Sequence, residues 1–225
     1  MSNLRLVIFD VDGTLVDSEA LIYMSFTRAY ESLGLVAPPR KAALNHVGIT
    51  LDHIFPLLSP ELDADTHVRL AAAYRDAYFA IRQKQGDRAS SPFFPGARET
   101  LDVLKAQDWT LLAIATGKAK RGLDAMIAGH GLEGYFLSAQ SADDHPSKPH
   151  PSMIHTCLLE TGVEATQTVM IGDTTFDMDM GRAAGVKTIG VGWGHHPVDR
   201  LKADMIVSSF AELLPAIDHV LGPQT

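Results

Sequence analysis

Five short apolar runs punctuate the chain, at residues 4–9, 111–115, 169–171, 188–191 and 205–207. None alternates polar with apolar positions, which is the pattern of strands covered by helices on both faces. Between and after them, apolar residues recur at helical spacing over 97–107, 121–130, 151–161, 176–184 and 210–221. Gly131, Gly162 and Gly185 stand just past three of these stretches, where helices stop. Pro151 suits a first helical turn, which needs no backbone donor. Strand alternating with helix predicts an α/β fold: a doubly wound, Rossmann-like parallel sheet.

One segment breaks this rhythm. From residue 18 to residue 91 the periodicity is helical only, over 20–33, a shorter piece around 44–58, and 67–85. Pro38-Pro39, Ser59-Pro60 and the polar run 85–91 punctuate it. The pattern predicts an α/β core of residues 1–17 and 92–225 with a small all-helical cap, 18–91, inserted after the first strand. An insertion at the carboxyl end of a strand is placed to cover a ligand site there.

Composition narrows the classes. A chain of 225 residues can build one core domain carrying a smaller one. With 46% apolar and 20% charged residues, it is not the polar composition of a disordered protein. The formal net charge of -8 lacks the basic footprint of a nucleic-acid binder. An anionic ligand must then be drawn in by a local site. The single cysteine, Cys157, has no partner for a disulfide within the chain, which predicts a reducing, cytoplasmic setting. The apolar stretch ending at Asp10 is too short for a signal-peptide core, and no run approaches the length of a membrane span.

Four segments carry candidate chemistry. In Phe9-Asp10-Val11-Asp12-Gly13-Thr14, two carboxylates follow a buried strand at a spacing of two. In extended backbone such side chains point the same way, so both can face one pocket. Close carboxylates repel, and either a cation between them or a proton on one relieves it. Phosphoryl transfer can use both: Mg2+ neutralises the incoming phosphate, and the second acid protonates the leaving alkoxide. An acidic turn is the plain alternative. A calcium loop starting at Asp10 fails, because Leu15 stands where glycine is required. In Ile114-Ala115-Thr116-Gly117-Lys118, a hydroxyl and backbone N–H groups at a strand end can cradle phosphate oxygens, and Lys118 reads as solvated. In Pro146-Ser147-Lys148-Pro149-His150-Pro151, prolines stiffen a loop around one ammonium, and His145 and His150 read as loop histidines. In Gly172-Asp173-Thr174-Thr175-Phe176-Asp177, Asp173 can complete an oxygen-rich magnesium shell. Asp177 can hold a metal-bound water or Lys148. Helix capping is the alternative for this last segment.

Each plain reading stands alone, but three strands ending at Asp10, Thr116 and Asp173 converge where parallel sheets bind ligands. In this order, the four segments resemble the haloacid dehalogenase superfamily of hydrolases over nearly the whole chain, in style closest to phosphoglycolate phosphatase and its relatives. The resemblance implies that Asp10 is the nucleophile of a phosphoaspartate mechanism and Asp12 the general acid/base. It implies that Thr116 and Lys148 bind the phosphoryl group, and that Mg2+ is held by Asp10, the Asp12 backbone carbonyl and Asp173. Gly117 stands where the family commonly has asparagine, which leaves that oxyanion contact to backbone N–H. Asp10 must be ionised, as its ordinary pKa of about 3.9 allows. Asp12 must start protonated, so burial is expected to raise its pKa.

The expected substrate is a small phosphorylated metabolite. A sugar phosphomutase is the first alternative and requires a cap that excludes water. A dehalogenase would not need the acid at Asp12. A non-catalytic phosphate-binding module would have no reason to retain every reactive group. Within the cap, Arg40, Lys41, His46, His53, Arg69 and Arg75 read as surface residues, and Gly48-Ile49-Thr50 as a loop reaching the pocket. His195-His196 reads as a polar loop at the pocket rim.

Overall fold

The computed structural model describes residues 4–222. Six strands, β1 (Arg5–Phe9), β2 (Thr110–Ala115), β3 (Ser138–Gln140), β4 (Thr168–Gly172), β5 (Lys187–Val191) and β6 (Met205–Val207), form one parallel sheet in the order β3-β2-β1-β4-β5-β6. The helices are α1 (Glu19–Ser32), α2 (Arg40–Leu44), α3 (Leu51–Leu58), α4 (Ala64–Gln85), α5 (Asp87–Ser90), α6 (Ala97–Lys105), α7 (Lys120–His130), α8 (Ser152–Thr161), α9 (Thr175–Ala183) and α10 (Leu213–Leu221).

Because strand side chains alternate, β1 feeds two cores. Val7 and Phe9 pack with Ile114, Ile171 and the apolar faces of α6, α7 and α10. Leu6 and Ile8 pack with Ala113, Met170 and residues of α8 and α9. The strands are apolar on both faces for this reason. β3 escapes the hydrophobic pattern: Ser-Ala-Gln is a three-residue edge strand paired only with β2. The polar stretch expected to be irregular at 85–91 contains the short helix α5, set off from α4 by Gly86. Of the helical piece expected around 44–58, only α3 is helical; α2 lies before it and ends at Leu44, and the turn between them contains Gly48, whose φ is +105°.

Arg5 ties the sheet's lower end together. It is 2% exposed and donates to Thr110 Oγ1 (2.9 Å), Asp218 Oδ1 (2.6 Å) and Gln107 Oε1 (3.0 Å). At the other end the chain leaves the sheet through Val16 and returns beside it: Val16 bridges Phe93, and Asp17 N donates to Pro92 O at 2.8 Å. Between these points α1 to α4 build their own core around Phe26, Tyr30, Phe55 and Leu70. The Phe26 ring lies 5.6 Å from Phe55 and 4.8 Å from Tyr74.

This helical unit sits over the carboxyl end of the sheet and is stitched to it at several places, four of which bear on the crevice between them. Thr50 N donates to Ser147 Oγ (3.0 Å), and Lys118 Nζ donates to Tyr78 Oη (2.6 Å). His196 Nε2 lies 2.9 Å from Asn45 O. The fourth is backbone against backbone: a Cβ on Gly117 would lie 2.3 Å from the Gly48 carbonyl oxygen. Gly117 thus admits the Gly48 loop.

Three substitutions test this packing. Arg5→Ala should destabilise the fold by about 2–4 kcal/mol in urea unfolding, because it empties the space of a buried side chain and removes its three hydrogen bonds. Lys120→Ala, which removes only the exposed pair with Asp124, should cost less than about 0.5 kcal/mol. Gly117→Ala should raise amide hydrogen exchange across residues 44–58 and leave β1 and β4 protected, since it displaces a loop and not the sheet.

Candidate active site

The chain runs outward from β1 through β2 to β3, then crosses back to β4 on the other side of β1. The carboxyl ends of β1 and β4 therefore border the crevice where connections diverge in opposite directions, the usual ligand position of such sheets. Asp10 follows β1, Thr116 follows β2 and Asp173 follows β4. Asp10 N donates to Ile171 O at 2.9 Å, which fixes the two strand ends side by side.

Three carboxylates meet here. One oxygen each from Asp10, Asp173 and Asp177 lie within 4.8 Å of one another, and all three residues are at most 1% exposed. Lys148, 3% exposed, enters from the proline-rich loop. Its Nζ donates to Asp177 Oδ1 at 2.6 Å and lies 2.9 Å from Asp10 Oδ1. Asp177 is fixed in turn by a capping box at the start of α9: its Oδ2 accepts from Thr174 N (3.0 Å) and Thr174 Oγ1 (2.6 Å). Asp177 thus holds Lys148, one of the two roles expected for it.

Asp173 is held from two sides. Its Oδ1 accepts from Thr14 Oγ1 (3.1 Å), and its Oδ2 accepts from His195 N (2.7 Å) and Nδ1 (2.8 Å). His195 is therefore not a rim residue: its side chain is 4% exposed against Asp173. Burial works against ionisation of Asp173, but the His195 and Thr14 contacts overcome it and hold the carboxyl below its ordinary range. His195 responds in kind; burial disfavours its charge, and Asp173 more than compensates and raises its pKa. The packing is tight enough that a Cβ on Gly13 would lie 2.3 Å from both Asp173 Oδ2 and His195 Nδ1.

Asp10 is different. Burial pushes its carboxyl up to about 7 against the pull of Lys148, with Asp177 and Asp173 adding repulsion. Its Oδ1 has no aligned hydrogen-bond donor among the described residues. A buried oxygen without an aligned hydrogen bond, beside an Asp173 oxygen that accepts only one bond, is the donor set a hard cation takes. The acidic group fits a metal ion.

Asp12 faces the helical unit. It accepts from Lys118 Nζ through both oxygens, at 2.8 and 3.0 Å. Burial alone would raise its carboxyl, as the sequence suggests, but the Lys118 charge and hydrogen bonds outweigh burial and hold it below the ordinary value. Lys118 is accordingly not solvated: it is 8% exposed, shared between Asp12 and Tyr78. The sequence signal for it was its place after Thr116-Gly117 at a strand end; its partner Tyr78, on α4, has no such signal. Thr116 Oγ1 accepts from Lys118 N at 3.3 Å. Thr116 and Gly117, with Asp10 and Asp12, line a cavity of about 600 Å3 between the sheet and the helical unit. The Gly48-Ile49-Thr50 loop reaches it, as expected. Of the surface cations named in the sequence, His53 and Arg75 border it; Arg82 and Arg121, not singled out, do so as well. His145 and His150 are held within their loop, by Ser152 Oγ and Gln140 Oε1 for His145 and by Ser152 N for His150.

No helix is long and apolar enough to cross a membrane among the described residues. Residues 7–191 match the family model of haloacid dehalogenase-like hydrolases. The chain is similar to a probable phosphatase, IndB, of Dickeya dadantii, with 37% identity over 96% of this chain and 94% of that one. It is also similar to a phosphoglycolate phosphatase of Chromobacterium violaceum, at 30% identity over 95% and 96% of the two chains. In structure it resembles a haloacid dehalogenase-like hydrolase of Streptococcus pneumoniae, with a TM-score of 0.82 and 27% identity over 96% of this chain and 99% of that one. With a sheet that gathers Asp10, Asp173, Asp177 and Lys148 at one crevice, and this match over most of its length, the chain belongs to the haloacid dehalogenase-like hydrolases.

Proposed function

We propose that this phosphatase hydrolyses a small phosphate monoester through a phosphoaspartate on Asp10, with Mg2+ held by Asp10, the Asp12 backbone carbonyl and Asp173. The observation that carries the reading is the buried Asp10 carboxylate, whose Oδ1 has no aligned hydrogen-bond donor and which lies 2.9 Å from the Lys148 ammonium and beside Asp173. The metal supplies charge neutralisation, so that one anion can approach another. Residues 18–91 act as the cap over this site, and the protein works in the cytoplasm without nucleic acid.

In the first step Asp10 attacks phosphorus and the bond to the alcohol oxygen breaks, with Asp12 giving that oxygen its proton. In the second, Asp12 takes a proton from water, which attacks the acyl phosphate, releasing inorganic phosphate and restoring Asp10. Lys148 stabilises charge on the phosphoryl oxygens, and Thr116 and the Gly117 N–H bind them. Asp177 keeps Lys148 in register. Asp12 is ionised while Lys118 grips it. It can take up its proton only when that contact loosens, which ties acid catalysis to the seam that Lys118 makes with Tyr78 of α4. A phosphomutase shares the first step, and release of phosphate instead of an isomerised sugar phosphate distinguishes the two. A non-catalytic binder would release none.

The test is phosphate release from a panel of small esters with Mg2+ and with a chelator. Turnover should require the metal and return on adding it back. Asp10→Asn should abolish both turnover and acid-stable labelling of the protein by phosphate; unimpaired activity in that variant would refute the assignment. Lys148→Ala should lower kcat by about 10²–10³-fold, measured at saturating Mg2+.

A further inference from the structure

The cavity beyond Asp12 says what kind of alcohol leaves. Its inner wall is apolar and aromatic: Ile22, Phe26, Val47 and Ile54 are buried, and Tyr74 and Tyr78 stand half-buried beside them. At about 600 Å3, including the end at Asp10 and Thr116 that receives the phosphoryl group, it has room for about twenty waters at ~30 Å3 each. A two-carbon acid such as glycolate would leave most of that wall wet, whereas ligand sites bury most of their ligand against such walls.

Charge points the same way. A carboxylate on the leaving group would want a free cation, and the lining offers none in the interior. Lys118 is bound to Asp12, Arg82 pairs with Asp87 at 2.5 Å, and Arg75 lies 3.6 Å from Asp52. Arg121 is exposed at the mouth, stacked 3.7 Å from the Phe79 ring centroid. Asp52, Asp76 and Asp143 border the same space and repel an anion.

Two donors are left over. Arg82 is 6% exposed, and its Nε has no partner among the described residues. The Tyr74 hydroxyl makes no hydrogen bond within the described residues, its ring contacts being with Phe26, Phe55 and Tyr78. One buried unpaired donor, Arg82 Nε, and one accessible hydroxyl, on half-buried Tyr74, among aromatic faces match a flat body that offers acceptor atoms.

Resting on the phosphatase reading above, we infer that the substrate is a phosphate monoester of an alcohol carrying an uncharged, flat ring with oxygen or nitrogen acceptors, in preference to phosphoglycolate. The ring lies between the Phe26, Tyr74 and Tyr78 side chains and accepts from Tyr74 Oη and Arg82 Nε.

The test measures kcat/KM with Mg2+ for phosphoglycolate, phenyl phosphate, pyridoxine 5′-phosphate and the 5′-ribonucleoside monophosphates. At least one acceptor-bearing ring ester should exceed phosphoglycolate and phenyl phosphate by about tenfold or more. Tyr74→Phe, which keeps the ring and removes the hydroxyl, should lower kcat/KM for that ester by about fivefold and leave phosphoglycolate unchanged. Phosphoglycolate turned over as well as every ring ester would overturn the inference and leave the phosphatase reading standing. If no ester is hydrolysed, the phosphatase reading fails, and calorimetric binding to Asp10→Asn decides the ligand class. Ring esters bound no more tightly than phosphoglycolate would then overturn it.

Discussion

Like charges crowded out of water are the constraint on which the rest of this structure depends. Parallel strands β1 and β4 deliver Asp10 and Asp173 to one crevice, and α9 adds Asp177 from its first turn. Packing carboxylates together inside a protein is costly, because neither solvent nor distance screens them. The protein meets that cost unevenly. Asp177 is satisfied by Lys148 and Thr174, and Asp173 by His195 and Thr14. Among the three, Asp10 is left with an oxygen that has no aligned donor, only the Lys148 ammonium 2.9 Å away, and a carboxyl pushed up to about 7. The surroundings leave the carboxyl placed to attack short of positive charge.

The second acid is governed by a different element. Asp12 looks toward the helical unit, and its partner Lys118 is shared with Tyr78 of α4. The protonation of Asp12 is thus coupled to contacts that span both parts of the chain. Gly117 belongs to the same seam, since the Gly48 carbonyl occupies the space a side chain would need. Its role is wider than the backbone N–H contact that the sequence suggests: the missing Cβ admits the covering loop.

Much of this was legible beforehand, for identifiable reasons. Apolar runs flanked by helical periodicity announce strands buried on both faces, so five of six strands and the doubly wound order could be read directly. β3 could not, because an edge strand of Ser-Ala-Gln buries little and leaves no apolar trace. Asp10, Asp12, Thr116, Lys148, Asp173 and Asp177 were legible as a group because they sit at strand ends, in a stiffened loop and at a helix start that all border one crevice. Lys118 and His195 were misread as solvated and rim residues. Their burial is set by partners far away in the chain, 106 residues for Lys118–Asp12 and 22 for His195–Asp173. Pairings at such separation leave no local pattern. Tyr74, Tyr78 and Arg82 read only as helix positions for the same reason.

The most direct measurement of the central claim is a calorimetric titration of the purified protein with Mg2+, without substrate, alongside Asp173→Asn. The account predicts one ion bound per chain in the native protein and a loss of at least about tenfold in affinity in the variant. Native protein that takes up no Mg2+, or a variant that binds it as tightly as the native chain, would contradict the view that this acidic crevice is built around a divalent cation.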